Sequence, residues 1–421
     1  MKYTRTDLEK ILSPDWLAIL QDIADGAYSQ GLPLYLVGGF VRDLYLGWAV
    51  KDFDLVVEGD AISLARAVIS QHGGHMTVHA RFGTAHWFPP TPDIHELDFI
   101  SARSETYKHS AALPTVKSGM LIDDLRRRDF TINTLAMRLD GDHFGEVRND
   151  LGGLEDLQAG LVRVLHPSSF LDDPTRLFRA VRYEQRYNFQ ITPGTLALIP
   201  AALSIIQKLS ADRVRNEIDL ILDEENAPAI LKRLVELGIL TATHQTLGWN
   251  QAIQTRFVNG MAGAQTLEHL PSRRMLGWTL WLMDVPRHGL ENIEKRLHFD
   301  SGLQKMLLAS SELYFKVNSL TEKKTSKSVA ILDEFPLKAI QAVFLALPPG
   351  PARQVLHDYL ETWRHIKPKT TGHTLMRRGI PQGPAYQYIL RHIRDAWLDG
   401  EVKTVEEEMV LLGKLIKKYK K

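Results

Sequence analysis

The 421-residue chain contains no cysteine, which excludes disulfide bonds and thiolate metal sites and suits a reducing compartment. It holds no uncharged apolar run of about 18 residues, the length that a membrane-spanning helix needs. The opening stretch MKYTRTDLEKIL carries acids and lacks the apolar segment of a secretion signal. A cytoplasmic protein is therefore expected. Repeats of fixed period and low-complexity tracts are also missing, apart from the short basic end KKYKK. Net charge is only +1 and hydrophobic residues make up 44% of the chain, so it reads as globular, with length for roughly two to four domains.

The small net charge hides an uneven distribution. Residues 1–150 hold 15 Lys+Arg against 21 Asp+Glu, residues 151–320 hold 18 against 18, and residues 321–421 hold 18 against 11. Taken alone this is an ordinary asymmetry of solvated faces; with other evidence it fits a metal-using head and a polyanion-holding rear. The front alternates strand and helix patterns. LPLYLVGG and DFDLVVEG read as strands, FVRDLYLG as a short helix closed by Gly47, and DAISLARAVISQHG as an amphipathic helix; HMTVHARFGTAHWF and IHELDFIS read as further strands. From about Leu151 helical spacing takes over, as in ADRVRNEIDLILD and APAILKRLVELGIL. An α/β head with a mixed sheet and helices, followed by all-α domains, is expected.

Within the segment KDFDLVV, strand alternation puts Asp52 and Asp54 on one face and Phe53 and Leu55 on the other. Two carboxylates so close repel each other, and both stay ionised only beside a cation; Mg²⁺ takes oxygen ligands and bridges phosphates. A bare DxD is common and by itself means no more than a strand end with two acids. Its neighbours sharpen it. Gly38 and Gly39 end one strand and open a helix, where backbone N–H groups and the helix dipole receive phosphate oxygens, and Arg42 on the first turn adds a charge. Two metal ions about 3.5 to 4 Å apart call for a third carboxylate. Asp98, in ELDFIS, is the candidate, with Glu96 sharing its face by parity. Arg128, in DLRRRDFTINTLAMRL, is a candidate phosphate ligand if it is not merely paired with Asp123 or Asp124.

The segment DDPTRLFRAVRY adds a helix start. Asp172 or Asp173 can cap it, Pro174 suits its first turn, and Arg176, Arg179 and Arg182 follow at three-residue steps along one flank. Asp173 and Arg176 can present an acceptor and donors side by side, matching the edge of cytosine or adenine. Without context the same residues are a cap and an intrahelical ion pair.

In order, LVGGFVRDLYLG, KDFDLVV, RRDFTINTLA, DDPTRLFRAVRY and SADRVRNEIDLIL resemble the successive motifs of bacterial class II tRNA nucleotidyltransferases and their poly(A) polymerase relatives, from about Pro33 to Leu240. The tail stretch TGHTLMRRGIPQGPAYQYILRHIRDAWLDGEV is similar to the C-terminal tRNA-facing segment of that family. The resemblance implies a polymerase-β-type head over residues 1–150, a helical neck with the base-reading motif over 151–225, a helical body over 226–325 and a basic tRNA-binding tail over 326–421. It implies Asp52 and Asp54 as Mg²⁺ ligands; Asp98 as third carboxylate and a second ion are the expectation from two-metal chemistry given above. Gly39, Arg42 and Arg128, with Gly38, would meet the incoming nucleotide; Asp173 and Arg176 would pair with its base, and Arg179 and Arg182 would line the pocket. Arg377, Arg378, Arg391 and Arg394 would hold tRNA phosphates. The implied reaction adds C, A or both from CTP and ATP to the 3′ end of tRNA.

Two departures stand out. The base-reading motif usually begins with Glu, whereas Asp172 stands here. The stretch RSETYKHSAALPTVKSGM (103–120) lies where the family carries a flexible loop tied to the switch between CTP and ATP, and is slightly compact. Poly(A) polymerase activity, or a catalytically silent RNA-binding homologue, are the competing expectations. His357-Asp358 is expected to be a helix-surface pair rather than part of a metal site, and Trp278 and Trp281 are expected in a core.

Overall fold

The computed structural model describes residues 1–50, 53–90, 96–106, 114–267 and 270–419. They form two compact units: Met1–Glu217 with Glu236–Thr243, and Ile218–Val235 with His244–Lys421. The boundaries expected at residues 150, 225 and 325 do not coincide with this division; the first unit joins the sheet to the helix Thr175–Arg186 through side-chain contacts described below.

The first unit is built on a mixed sheet. Its strands are β1 (Leu34–Val37), β2 (Asp54–Val57), β3 (His75–His79), β4 (Thr84–Phe88) and β5 (Leu97–Ser101), then, after the separate hairpin β6 (Arg103–Thr106) and β7 (Thr115–Ser118), β8 (Ala136–Arg138) and β9 (Val147–Arg148). The sheet order is β3-β4-β5-β2-β1-β8-β9, with β2 and β5 parallel and the other neighbours antiparallel. All four residues of β1 are buried, as a central strand covered on both faces requires.

Both faces of β2 are packed, and its first residue, Asp54, is the one that is only partly buried. Phe53 stacks on Trp16 (ring centroids 4.2 Å apart), which belongs to the helix Pro14–Ser29. That helix starts with Pro14 in its first turn and the Ser13 hydroxyl accepting from Trp16 N. On the other face Val56 packs with Tyr35, Val37, Ala136 and, from the helix Leu121–Arg126, Leu121 and Leu125. Asp54 shares that face, two residues before Val56. The helix Ala61–His72 is capped by Asp60, whose Oδ1 accepts from Ile62 N and Ser63 N, and Gly47 ends the helix Gly39–Leu46 in the left-handed region (φ 71°).

Among its described residues the second unit is helical, without strands. Trp278 and Trp281 are buried and stacked (5.2 Å), with their indole N–H groups donating to Asp219 Oδ1 (2.7 Å) and Gly248 O (2.8 Å). A further core of Leu375, Ile380, Ile389, Ile393 and Leu412 holds the last helices together.

Candidate active site

Three strands bring their polar residues abreast on one face. Asp54 of β2 is the direct partner of Asp98 on β5, and Asp98 is the direct partner of His86 on β4. Paired residues on neighbouring strands project to the same side, about 5 Å apart. His86 Nδ1 is hydrogen-bonded to Asp98 Oδ1, while Nε2 meets Glu96 Oε2 at 2.8 Å. Burial alone would lower the His86 pKa, but its bonds to Asp98 and Glu96 outweigh that and raise it. Glu96, the alternative third carboxylate, is thus engaged by His86 and more exposed than Asp98. Asp52 lies outside the described residues, as do residues 107–113 of the stretch expected to bear on nucleotide choice; its flanks form the hairpin β6-β7. The described residues contain no group of three side chains able to hold a metal, but Asp54 and Asp98 provide two adjacent carboxylates. An all-oxygen donor set of this kind fits a hard divalent ion.

Beside this row β1 runs into Gly38, in the left-handed region (φ 65°). A Cβ there would lie 2.5 Å from Arg128 Nη1, so glycine is what lets the guanidinium come against the backbone. The Gly38 N–H was expected to be open to phosphate; it donates instead to Leu135 O at 2.9 Å, continuing the sheet's hydrogen bonding. Arg128 Nη2 reaches Asp124 Oδ2 at 3.2 Å, and its buried Nε has no hydrogen-bond partner among the described residues. Gly39 is the first residue of the helix Gly39–Leu46, a position whose N–H has no partner within the helix.

Arg42 departs from its expected role. It is 3% exposed, with Nε and Nη2 donating to Asp43 (2.8 and 3.0 Å) and Nη1 to Asn133 Oδ1 (2.5 Å). Its guanidinium lies over the rings of Tyr187 (4.8 Å) and Tyr183 (5.2 Å), and Tyr187 OH donates to Asp43 Oδ1 at 3.0 Å. The helix turn that carries Arg42 points into the protein, so this side chain ties the helix 39–46 to the helix Thr175–Arg186.

The helix expected to carry the base readers spans Thr175–Arg186, with Pro174 just before its first residue. Asp173 Oδ1 accepts from Thr175 N (3.0 Å) and Thr175 Oγ1 (2.7 Å), capping the helix, and from Arg213 Nη2 (2.7 Å). Arg176 is buried, with Nη1 donating to Ser169 Oγ and Nη2 to Arg127 O, both 2.7 Å. Arg179 Nε donates to Asp129 Oδ2 (2.7 Å) and Nη2 to Tyr183 OH (3.0 Å). Arg182 Nη1 donates to Glu217 Oε2 at 3.2 Å. Burial raises the Glu217 pKa, and the opposing pull of Arg182 and Arg179 does not cancel it. Asp173, Arg176, Arg179 and Arg182 are therefore brought onto one helix start and flank, each already held by protein partners.

Sequence reasoning did not single out His86, Arg213 or Glu217. Arg213 and Glu217 stand four residues apart in the helix Ala211–Leu222, hence on one face, a spacing that could have marked them as partners for an acid and a base on another helix. For His86 the only signal was its even spacing from Thr84 and Phe88 on a strand.

In the second unit Arg377, Arg378 and Arg391 are exposed. Arg394 is committed within the protein: Nη1 donates to Asp333 Oδ2 (2.5 Å) and Nε to Ile366 O (3.2 Å). Arg391 and Arg394 line an open groove of about 540 Å³ with Lys367 and Asp333. His357 and Asp358 lie 3.5 Å apart on the surface of the helix Pro351–Glu361.

Comparison with known proteins places this geometry in context. A family model described as the poly A polymerase head domain matches residues 34–163, and one described as a probable RNA and SrmB-binding site of polymerase A matches 188–244. The chain is similar to the A-adding tRNA nucleotidyltransferase of Halalkalibacterium halodurans, 30% identical over 94% of this chain and 92% of that protein. It is 37% identical to the CC-adding tRNA nucleotidyltransferase of Deinococcus radiodurans, over 95% and 94% respectively. The A-adding tRNA nucleotidyltransferase of Geobacter sulfurreducens is 33% identical over 95% of this chain but only 47% of its own, so the chain spans about half the length of that relative. Among solved structures, the Thermotoga maritima CCA-adding enzyme complexed with tRNA_CCA superposes with a TM-score of 0.78 at 26% identity, covering 98% of each chain. A CCA-adding enzyme complexed with ATP gives 0.79 at 26% identity, covering 99% of this chain and 97% of that one. The same kind of complex with CTP gives 0.80 at 25%, covering 99% and 98%.

Proposed function

The chain belongs to the tRNA nucleotidyltransferase family, and on that premise we propose that it adds nucleotides from ATP or CTP to the 3′ end of tRNA, with A addition as its principal reaction. The in-register pair Asp54–Asp98 beside Gly38 and Arg128 carries this reading. The two A-adding relatives align along nearly the whole chain and favour adenosine. The Deinococcus relative favours a second reading, addition of two cytidines. The poly A polymerase head match keeps untemplated tailing as a third outcome of the same assay.

In the proposed reaction the tRNA 3′-hydroxyl oxygen forms a bond to the α-phosphorus as the bond to the β-phosphate oxygen breaks, releasing pyrophosphate; the hydroxyl proton leaves to solvent or carboxylate. Asp54 and Asp98, with Asp52, would hold divalent ions, two Mg²⁺ by our reading, which supply charge neutralisation at the attacking and leaving oxygens. Arg128 and the start of the helix 39–46 receive the triphosphate. Asp173 would accept from the exocyclic amino group of the base and Arg176 would donate to a ring acceptor, each exchanging a present protein partner for the base; a base with the opposite pattern offers no such exchange. We assign these steps to the first unit and tRNA phosphate binding to the second, through Arg377, Arg378 and Arg391. No described helix is long and apolar enough to cross a membrane, and the reaction would take place in the cytoplasm.

Nucleotide incorporation into tRNAs ending at the discriminator base, at C or at CC tests the proposal. One A added to the CC-ended tRNA alone supports it. Two C residues added to the shortest acceptor would establish the second reading, and long A tails on any RNA the third.

A further inference from the structure

The contact between His86 and Asp98 belongs to no motif of the family resemblance. His86 sits directly opposite Asp98 across the β4–β5 ladder, and Glu96 lies two residues before Asp98, hence on the same face. The imidazole spans both acids, with Nδ1 on Asp98 Oδ1 and Nε2 on Glu96 Oε2. Its ring is fixed from the side by an edge contact to Phe88 (centroids 4.5 Å), which in turn stacks on His75 (4.5 Å). Asp98 Oδ2 has no hydrogen-bond partner among the described residues.

These contacts solve a physical problem. Asp98 is half-exposed and stands beside the like-charged Asp54, so repulsion favours rotamers that swing it away from the row. A bond to one oxygen from a ring held by Phe88 and Glu96 opposes that swing and leaves the second oxygen for a ligand. We infer that His86, clamped by Glu96, is a positioning residue that holds Asp98 in the orientation required to ligate a divalent ion. Outer partners of this kind typically contribute roughly 10- to 100-fold to metal affinity or activity. The inference rests on the proposed catalytic role of Asp98.

The test uses the full chain and four variants, checked for folding by circular dichroism. His86→Asn keeps an N–H where Nδ1 stood, facing Asp98; His86→Gln keeps one where Nε2 stood, facing Glu96; His86→Ala keeps neither. kcat and the KM for ATP are measured on CC-ended tRNA, and Mn²⁺ affinity is measured by calorimetry on the enzyme alone. His86→Ala is expected to lose roughly 10- to 100-fold in kcat and about tenfold in Mn²⁺ affinity, with KM changed by less than about twofold. His86→Asn should recover most of both losses and His86→Gln should not. Equal behaviour of the Asn, Gln and Ala variants overturns the inference. Asp98→Asn separates the two claims: if it is inactive while His86→Ala matches wild type in kcat and Mn²⁺ affinity, the positioning role fails and the catalytic role of Asp98 stands. If Asp98→Asn is fully active, the catalytic role itself fails and the inference falls with it.

Discussion

Arg179 Nε donates to Asp129 Oδ2 at 2.7 Å across fifty residues of sequence, joining the helix Thr175–Arg186 to the loop that follows Arg128. Burial works against the Asp129 charge, but Arg179, the Asn133 amide and Arg176 reverse the effect and lower its pKa from 3.8 to about 2. A depressed carboxyl pKa contributes stability that is complete above the unfolded value and is lost as pH falls through the folded one. The shift corresponds to about 2 kcal/mol, present above pH 4 and lost toward pH 2. Urea midpoints at pH 5, 3 and 2 should record this loss. Asp129→Asn should be less stable at pH 7, by on the order of 2–3 kcal/mol, because it leaves Arg179 without its counter-charge, and its midpoint should depend less on pH over the same window.

Gly38 and Gly47 both have positive φ, 65° and 71°; alanine at Gly47, in the left-handed α well, costs about 1–2 kcal/mol, and at Gly38, whose ψ of −118° lies outside that well, at least as much. Only the Gly38 methyl would also meet Arg128; nothing lies within 4 Å at Gly47. Both Gly→Ala variants should therefore melt earlier, while only Gly38→Ala raises the KM for the nucleotide, by roughly tenfold for one charge-assisted hydrogen bond removed. Equal KM values in the two variants would remove Arg128 from the phosphate site.

Arg213 holds Asp173 Oδ1 from outside the motif that carries the proposed base readers. Arg213→Ala should raise the KM for ATP and narrow the discrimination against GTP, each by roughly tenfold, the scale of one charged hydrogen bond. Steady-state kinetics with each nucleotide separately provides the check.

The exposed Arg377, Arg378 and Arg391 differ from Arg394, which is bonded to Asp333 and Ile366 O. Removing any of the first three should weaken tRNA binding and reduce the dependence of log K on log salt by about 0.7–0.9 for each phosphate that is no longer neutralised. Arg394→Ala should instead lower the melting temperature and leave the salt slope unchanged. Fluorescence titrations with tRNA at several salt concentrations distinguish the two classes.

The elements legible in the sequence were those set by local chemistry. Period-two alternation placed Phe53 in the core and Asp54 on the opposite face; Gly47 marked a helix end. What escaped depends on register and on which helix face is covered. His86 and Asp98 meet because β4 and β5 pair in one register, and a shift of one residue would put them on opposite faces. Arg42 was expected to meet phosphate from the first turn of its helix, and only the placement of Tyr183 and Tyr187 above it reveals that the turn faces inward. The Gly38 N–H is engaged because Leu135, almost a hundred residues later, supplies the acceptor.

The central claim is that the Asp54–Asp98 row carries out nucleotidyl transfer to tRNA. Its most direct test is single-turnover incorporation on CC-ended tRNA with Mg²⁺ and each of the four nucleoside triphosphates, comparing the wild-type protein with Asp54→Asn. One adenosine added with release of pyrophosphate by the wild type, and a rate at least 10³-fold lower in the variant, on the order expected for loss of a metal-holding carboxylate, is the predicted result. A wild-type rate in Asp54→Asn, or no incorporation by the wild type on any acceptor, would contradict it.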